Sequence, residues 1–163
     1  HFNTRFISTT QEWFGGGIDV TPSKNDELEK KDFHQTLKKI CDQHNKNYYN
    51  KYKKWCDEYF YLPHREEARG IGGIFFDYKN NNFKKDFKFV RDVGVTFQKL
   101  FNKIIRKKLK KKWTTNDKEL QYIKRGRYVE FNLLHDRGTK FGLQTGGNVE
   151  GILMSLPPLA KWK

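Results

Sequence analysis

The chain has 163 residues, a length that suits one domain, and its 33 Lys and Arg against 19 Asp and Glu give a formal charge of +14. No run of about eighteen apolar residues occurs, which argues against a membrane-spanning helix. The only two cysteines, Cys41 and Cys56, argue against a disulfide scaffold and favour a reducing compartment. The charge favours polyanionic partners, nucleic acid foremost, although its densest run, 106–112, is also typical of the solvated end of a helix.

The N-terminal part of the chain predicts two strands followed by two helices. Residues 1–7 and 12–20 have an extended pattern. A helix is predicted after Pro22, because four apolar residues fall at helical spacing: Phe33, Leu37, Ile40 and Cys41. A second helix carries an aromatic stripe, Tyr48, Tyr52, Trp55 and Tyr59. Pro63 ends it, since the residue before a proline disfavours the helical conformation.

The middle of the chain predicts a buried strand at 70–78 and a long third helix. The apolar positions of that helix are Phe83, Phe87, Val90, Phe97, Phe101, Ile104 and Ile105. Thr115 is a predicted N-cap of a short fourth helix that ends at Gly126.

The C-terminal part predicts a β-hairpin. Residues 127–135 alternate between apolar and polar side chains, 136–138 suit a turn, and 140–145 form the returning strand. After a turn at Gly146-Gly147, residues 152–156 are predicted as a last strand. Hairpins with segregated helices indicate an α+β fold with a mostly antiparallel sheet.

Two short stretches are rich in glycines and in charged or titratable residues of the kinds found in catalytic and binding sites. The first, 13–22, places Gly15-Gly16-Gly17 before Asp19 without a dinucleotide-binding fingerprint. Such glycines suggest close approach of the backbone to a flat or bulky group. The alternative is a β-bulge or bend, with Asp19 capping the next turn.

The second stretch, 62–77, contains His64, Arg65, Arg69 and a run of glycines and aromatics that ends in Asp77. Arg65 and Arg69 are four residues apart, so that both side chains are able to reach one bound carboxylate group. The alternative is that they form salt bridges with carboxylates nearby in sequence: Glu66, Glu67 and Asp77.

Three histidines, His1, His34 and His64, are candidate metal ligands or acid–base groups. The spacing of histidines and cysteines does not support a metal site, and structural roles for them stay open. Ser155 lacks a nucleophile elbow, and Cys56 suits a core position within the aromatic helix.

Linked motifs in the same order resemble the oxygen-dependent coproporphyrinogen III oxidases along nearly the whole chain. They lie at 1–6, 13–22, 34–36, 52–60, 62–77, 125–133, 136–139, 141–143 and 152–158. Family members are longer, so the resemblance implies a single oxidase domain over 1–163 that is truncated at both ends.

The resemblance implies an enzyme that converts two propionates of coproporphyrinogen III to vinyl groups with O2, giving protoporphyrinogen IX in haem synthesis. It implies no organic cofactor, an unsettled metal requirement, a homodimer, and no nucleic-acid partner. It also implies a large, mostly antiparallel sheet flanked by helices on both faces. A cytoplasmic location is expected; an organellar one stays open, because the N-terminal part is missing.

The resemblance also implies roles for individual residues. Asp19 would accept hydrogen bonds from the pyrrole N–H groups, His1 would donate a proton, and Arg65 and Arg69 would hold propionates. The segment Asn3, Thr4 and Arg5 would contact the substrate. His34 and His64 match positions proposed as ligands if a metal is used.

One departure from the family pattern lies in a further substrate-contact segment, Gly146-Gly147-Asn148, where relatives carry an arginine in place of Asn148. Loss of that arginine would remove a propionate contact, which Arg127 or Lys140 would have to replace. Two other functions therefore stay open: a basic nucleic-acid-binding module, favoured by the charge, and an inactive relative of the oxidase, favoured by Asn148.

Overall fold

A computed structural model describes residues 1–162. The elements in chain order are β1 (Phe2–Ser8), β2 (Glu12–Val20), α1 (Glu27–His44), α2 (Tyr48–Tyr59), β3 (Tyr61–Leu62), a 3-10 turn (Pro63–Arg65), β4 (Glu67–Ala68), β5 (Gly72–Lys79), α3 (Phe83–Lys108), α4 (Thr115–Leu134), α5 (Arg137–Gln144) and α6 (Val149–Leu153). The strands β1, β2 and β5 and the helices α1, α2 and α3 confirm the predictions made from the sequence patterns.

A three-stranded antiparallel sheet in the order β1-β2-β5 organises the first half of the chain, and β3 and β4 form a separate two-stranded pair. Opposite residues in the main sheet include Phe2 with Ile18 and Ile18 with Ile74. Because side chains alternate along a strand, Ile18 and Ile74 point to one face while Asp19 and Phe75 point to the other.

Each face of this sheet carries its own apolar cluster. On the first face, Ile18, Ile74 and Phe76 pack with buried residues of α1 and α3, among them Phe33 and Phe89. On the second face, Phe75 packs with Phe60, Leu62 and Phe131, so that α4 covers the side on which Asp19 lies. Both faces carry buried charged groups: Lys79 pairs with Asp86 over 3.0 Å beside the first cluster, and Asp19 lies on the second face.

The predicted hairpin is wrong, because residues 127–134 continue α4 and residues 137–144 form α5. A capping box starts α4: the Thr114 hydroxyl accepts from the Asp117 backbone N–H, and the Asp117 carboxylate accepts from the Thr114 N–H. The predicted cap at Thr115 is therefore one residue late. Phe131 is fully buried and lies within α4, so this apolar residue of the alternating stretch faces the core from a helix and not from a strand.

Gly126 does not end α4 as predicted. It lies inside the helix, where a Cβ atom would come within 2.4 Å of the Lys161 carbonyl oxygen. The glycine is thus required by the close passage of the C-terminal segment, whose Lys161 N–H donates to the Tyr122 carbonyl over 3.0 Å.

The predicted last strand at 152–156 is also wrong, since Ile152 and Leu153 end α6 and a turn follows. Asn148 caps α6 by accepting from the Glu150 N–H over 3.1 Å. With the C-terminal part helical, the described chain is an α+β fold with six helices and small antiparallel sheets. Within residues 1–162, none of the helices has the length and apolar character needed to cross a bilayer.

Candidate active site

Asp19 lies near the end of the central strand β2, and its carboxylate is held from two directions. The His1 ring donates from Nδ1 to Asp19 Oδ1 over 2.8 Å, and Arg69 donates from Nη2 to Asp19 Oδ2. The Asp19 side chain is only 6% exposed. Within residues 1–162, the Asp19 carboxylate accepts hydrogen bonds from the side chains of His1 and Arg69 and from no backbone N–H group, so it does not act as a turn cap there.

Arg69 is almost completely enclosed, with a side-chain exposure of 3%. Its backbone N–H donates to the Phe60 carbonyl over 2.9 Å. Its guanidinium carbon lies 3.9 Å from the Phe60 ring centroid and 4.6 Å from that of Phe131. Stacking between aromatic faces holds the planar cation in one orientation, so Arg69 positions Asp19.

A cavity of about 400 Å³ opens next to His1 and Asp19. Its walls come from β2, α1, α3, α4 and the C-terminal segment, and the polar lining residues beyond His1 and Asp19 are Thr21, Arg125, Tyr128 and Ser155. This volume lies within the range of about 300–1,000 Å³ that small-molecule sites occupy.

Arg125 and Tyr128 are functional candidates that the sequence analysis missed. They lie three residues apart on α4, so both reach the cavity from one side of the helix. Arg125 forms no ion pair within residues 1–162, unlike Arg65 and Arg69. Treating residues 125–133 as helical would have identified both residues, because a helix places Arg125 and Tyr128 on a common face.

Arg65 lies in a different environment from Arg69, so the two arginines do not converge. Arg65 donates from Nε to Glu130 Oε2 over 3.0 Å and from Nη2 to Glu130 Oε1 over 2.6 Å, a two-pronged pairing with α4. The partner is distant in sequence and is none of the neighbouring carboxylates considered above. The hydrogen bonds from Arg65 lower the pKa of Glu130 to about 2.

His64 joins this second cluster. Its Nε2 donates to Glu130 Oε2 over 2.8 Å, and its Nδ1 lies 3.3 Å from His135 Nε2. These contacts hold the 3-10 turn against α4. His64 is not among the residues that line the cavity around Asp19 in residues 1–162.

The segment Asn3, Thr4 and Arg5 lies on the edge strand β1. Arg5 pairs with Asp77 on β5 across β2, with Nε to Oδ1 at 2.9 Å. A Cβ atom on Gly15 would lie 1.9 Å from Asp77 Oδ1, so this glycine makes room for the ion pair. Gly15 also lies at the register shift between β2 and β5, as the bulge alternative predicts. Asn3 Oδ1 is buried without a hydrogen-bond partner among the described residues, whereas Thr4 is exposed.

His34 and His64 lie in separate surroundings and share no ligand set. His34 donates from Nε2 to the Ile71 carbonyl over 2.8 Å and accepts from the Tyr49 hydroxyl over 3.1 Å. Burial lowers the pKa of His34 below its ordinary value of 6.5. Within residues 1–162, no three His, Cys, Asp or Glu side chains form a group able to hold a metal ion.

Gly146, Gly147 and Asn148 lie between α5 and α6 and do not line the cavity around Asp19. Gly146 has a φ of +70°, a left-handed conformation that favours glycine. Ser155, in contrast, does line the cavity, although its sequence context lacks the motif of a nucleophilic serine.

Comparison with known proteins identifies the family of the chain. The family model for coproporphyrinogen III oxidase matches residues 1–163. The chain is 59% identical over 163 residues to the oxygen-dependent coproporphyrinogen-III oxidase of Rickettsia rickettsii (strain Sheila Smith), and 59% to that of Rickettsia bellii (strain OSU 85-389). It is 58% identical to that of Rickettsia akari (strain Hartford). Each alignment covers 99% of this chain and 58% of the relative, so the chain spans little more than half the length of these proteins. The chain belongs to the coproporphyrinogen III oxidase family.

Proposed function

We propose that the intact protein containing this chain oxidatively decarboxylates two propionates of coproporphyrinogen III to vinyl groups, with O2 as co-substrate. One observation carries the proposal: His1 and Asp19 share a cavity of about 400 Å³ with Arg125, an arginine that forms no ion pair within residues 1–162. A carboxylate and a free guanidinium in one cavity suit a substrate with N–H groups at its centre and carboxylates at its rim.

The proposed chemistry balances for each propionate. R–CH2–CH2–COO⁻, O2 and one proton give R–CH=CH2, CO2 and H2O2: the bond to the carboxylate carbon breaks, and two electrons and a second proton pass from the side chain to O2. The proton entering from outside is the one assigned to His1, whose ring lies 2.8 Å from Asp19. No organic cofactor and no resident metal enters this proposal.

Asp19 is proposed to accept hydrogen bonds from the pyrrole N–H groups. Each carboxylate oxygen has two acceptor positions, and His1 and Arg69 use one on each oxygen. One position on each oxygen therefore stays available for the macrocycle. Arg69, enclosed by aromatic rings, keeps the carboxylate plane fixed while the substrate binds.

Arg125 is proposed to bind a propionate, the role that the family resemblance implies for Arg65. Arg65 is already engaged by both oxygens of Glu130, and displacing it would leave a carboxylate with 10% side-chain exposure without its main partner. We assign Arg65 to holding the 3-10 turn against α4. Asn3, with its unpartnered buried oxygen on the Asp19 side of the sheet, is proposed as a further substrate contact.

The test is aerobic incubation of the intact protein with coproporphyrinogen III, followed by chromatography of the oxidised products. We expect protoporphyrin to form under O2 and not under argon, and Arg125→Lys to raise KM more than it lowers kcat. A folded protein that forms no vinyl product under O2 would overturn the proposed function.

The family also supports proposals about the whole protein: one oxidase domain that extends beyond both ends of the chain, a larger sheet flanked by helices, and a cytoplasmic location.

A homodimer is proposed as well. Large apolar side chains lie exposed on the helical C-terminal part, namely Leu134, Phe141, Val149, Met154, Leu159 and Trp162. Such a surface suits a second copy of the chain. Sedimentation of the intact protein at micromolar concentration tests this, and a monomer would contradict it.

A further inference from the structure

We propose that the end of α3 and the segment after it, residues 106–113, dock the protein onto an anionic lipid surface. This segment, called the basic tip below, contains six of the chain's 33 Lys and Arg residues. The cavity around Asp19 has other lining residues, so the proposal is independent of the oxidase activity.

The basic tip carries positive charge that the described residues do not neutralise. Lys107 and Lys108 pair with Glu29 at 3.2 and 2.6 Å. The remaining cations of the tip form no ion pair within residues 1–162 and are exposed: Arg106, Lys110, Lys111 and Lys112. A cluster of four to eight such cations attracts anionic lipid head groups, with each lysine near the surface increasing binding about fivefold.

A groove of about 660 Å³ lies directly beside these cations. Its charged lining residues are five lysines and two aspartates: Lys24, Lys108, Lys111, Lys112, Lys118, Asp26 and Asp117. Asp117 is paired with Lys24 at 2.9 Å. The concave shape and its lysine amines are suited to a phosphate or carboxylate carried by a head group.

Two large apolar side chains project from the same tip. Leu109 is 79% exposed and Trp113 is 68% exposed. Leucine and tryptophan flanked by lysines are typical of segments that lie in the membrane interface, with the apolar groups below the head groups. The exposed phenylalanines at the other end of α3 differ, because Phe83 and Phe87 pack against each other and Phe83 also against Phe6 and Phe14.

A lipid surface explains this combination better than a nucleic acid does. Binding of single strands relies on several aromatic rings that stack with successive bases, and the tip offers Trp113 alone, with Lys118 Nζ 5.4 Å from its ring centroid. Leu109 has no function in phosphate contacts but contributes to insertion between lipids.

The experiment measures co-sedimentation of the intact protein with phosphatidylcholine vesicles that contain 25% phosphatidylserine or none. We expect binding to be at least tenfold stronger with phosphatidylserine and to weaken as salt rises, because the Debye length falls from ~10 Å at 0.1 M to ~3 Å at 1 M. The variant K110Q/K111Q/K112Q should bind about ten- to a hundredfold more weakly. Leu109→Ser combined with Trp113→Ala should lose on the order of tenfold while keeping every charge.

The matched control is K39Q/K46Q/K54Q, which removes the same charge from exposed lysines around α1 and α2. It should bind the vesicles like the unaltered protein, and all variants should keep their melting temperature, since exposed substitutions rarely change stability. Equal loss in the control and tip variants, or no preference for phosphatidylserine, would overturn the proposal. Tight binding of a thirty-nucleotide oligothymidylate that the Leu109 and Trp113 changes leave intact, with no binding to vesicles, would assign the tip to nucleic acid instead.

Discussion

The guanidinium of Arg69 and the carboxylate of Asp19 form an ion pair from which solvent is excluded, with side-chain exposures of 3% and 6%. Breaking such a pair leaves a buried charge without its partner, which costs about 3–5 kcal/mol. We therefore expect Asp19→Ala and Arg69→Ala each to lower the free energy of unfolding by several kcal/mol, as measured by urea denaturation.

The double variant Asp19→Asn, Arg69→Met separates this stability effect from catalysis. It removes both charges at similar volume, so its loss of stability should be clearly smaller than the sum of the losses measured for Asp19→Asn and Arg69→Met separately. Its turnover of coproporphyrinogen III should still be abolished, because the neutral amide no longer stabilises positive character in the macrocycle. An additive loss of stability would mean that the two groups do not depend on each other.

Arg65 and Arg125 should respond in opposite ways to substitution by lysine. Arg65→Lys loses the planar fork that binds Glu130 and should lower the melting temperature with little change in KM. Arg125→Lys should raise KM about ten- to a hundredfold with an almost unchanged melting temperature. Steady-state kinetics and thermal melts on the same samples decide this, and a raised KM with normal stability for Arg65→Lys would return that residue to substrate binding.

Combining Arg65→Lys with Arg69→Lys tests whether the two arginines act on one group. They bind different carboxylates, Glu130 and Asp19, so we expect their stability effects to add within about 0.5 kcal/mol. A strong departure from additivity in a double-mutant cycle would indicate one shared partner.

Glu130 gives the protein a predictable response to acid. Its pKa is lowered from 4.5 to about 2, chiefly by the hydrogen bonds from Arg65. The unfolded chain therefore binds a proton more readily than the folded one, so the stabilisation is present above about pH 4.5 and is lost as the pH falls towards 2. Glu130→Gln should be less stable at pH 7 by on the order of 1–3 kcal/mol and should lose less stability on acidification. Glu119→Gln is the control, since its exposed pair with Lys161 should contribute about 0–1 kcal/mol.

His34 should produce a second, milder pH dependence. Burial lowers its pKa below 6.5, so the folded protein resists the proton that the unfolded chain accepts. Stability should be fully present above about pH 6.5 and should decline below it, with a positive slope against pH. His34→Gln, whose amide is able to donate to the Ile71 carbonyl, should remove this slope between pH 5 and 7. An unchanged slope would assign the dependence to another group.

The first half of the fold was predictable from sequence because its patterns are local. The aromatic stripe of α2 and the apolar positions of α3 repeat at helical spacing, and polar residues flank β2 while Gly70 precedes β5. The second half failed because 127–133 alternate in a way that also suits a strand. What decided the outcome is distant in sequence: the contact of Gly126 with Lys161 and the burial of Phe131.

The site residues from the first half of the chain were likewise easier to predict than those from the second half. His1, Asp19 and Arg69 were named from the sequence, and the structure brings all three together. Arg125 and Tyr128 were missed because the sequence patterns placed Arg125 in a helix ending at Gly126 and Tyr128 in a strand, so the two shared no face. Arg65 was paired with the wrong carboxylates, because local reasoning considers neighbours such as Glu66 while the actual partner, Glu130, lies on a helix that was not predicted.

The separation of Asp19 from Arg69 along the chain, 50 positions, has a consequence for biosynthesis. At about 5–20 residues per second, a ribosome adds Arg69 roughly 2.5–10 s after Asp19. During that interval β2 carries a carboxylate that the folded sheet is able to bury only beside a cation. We therefore expect β2 to stay hydrated until the segment up to β5 has been made, so that closure of the sheet is delayed and its apolar face stays accessible to chaperones for longer.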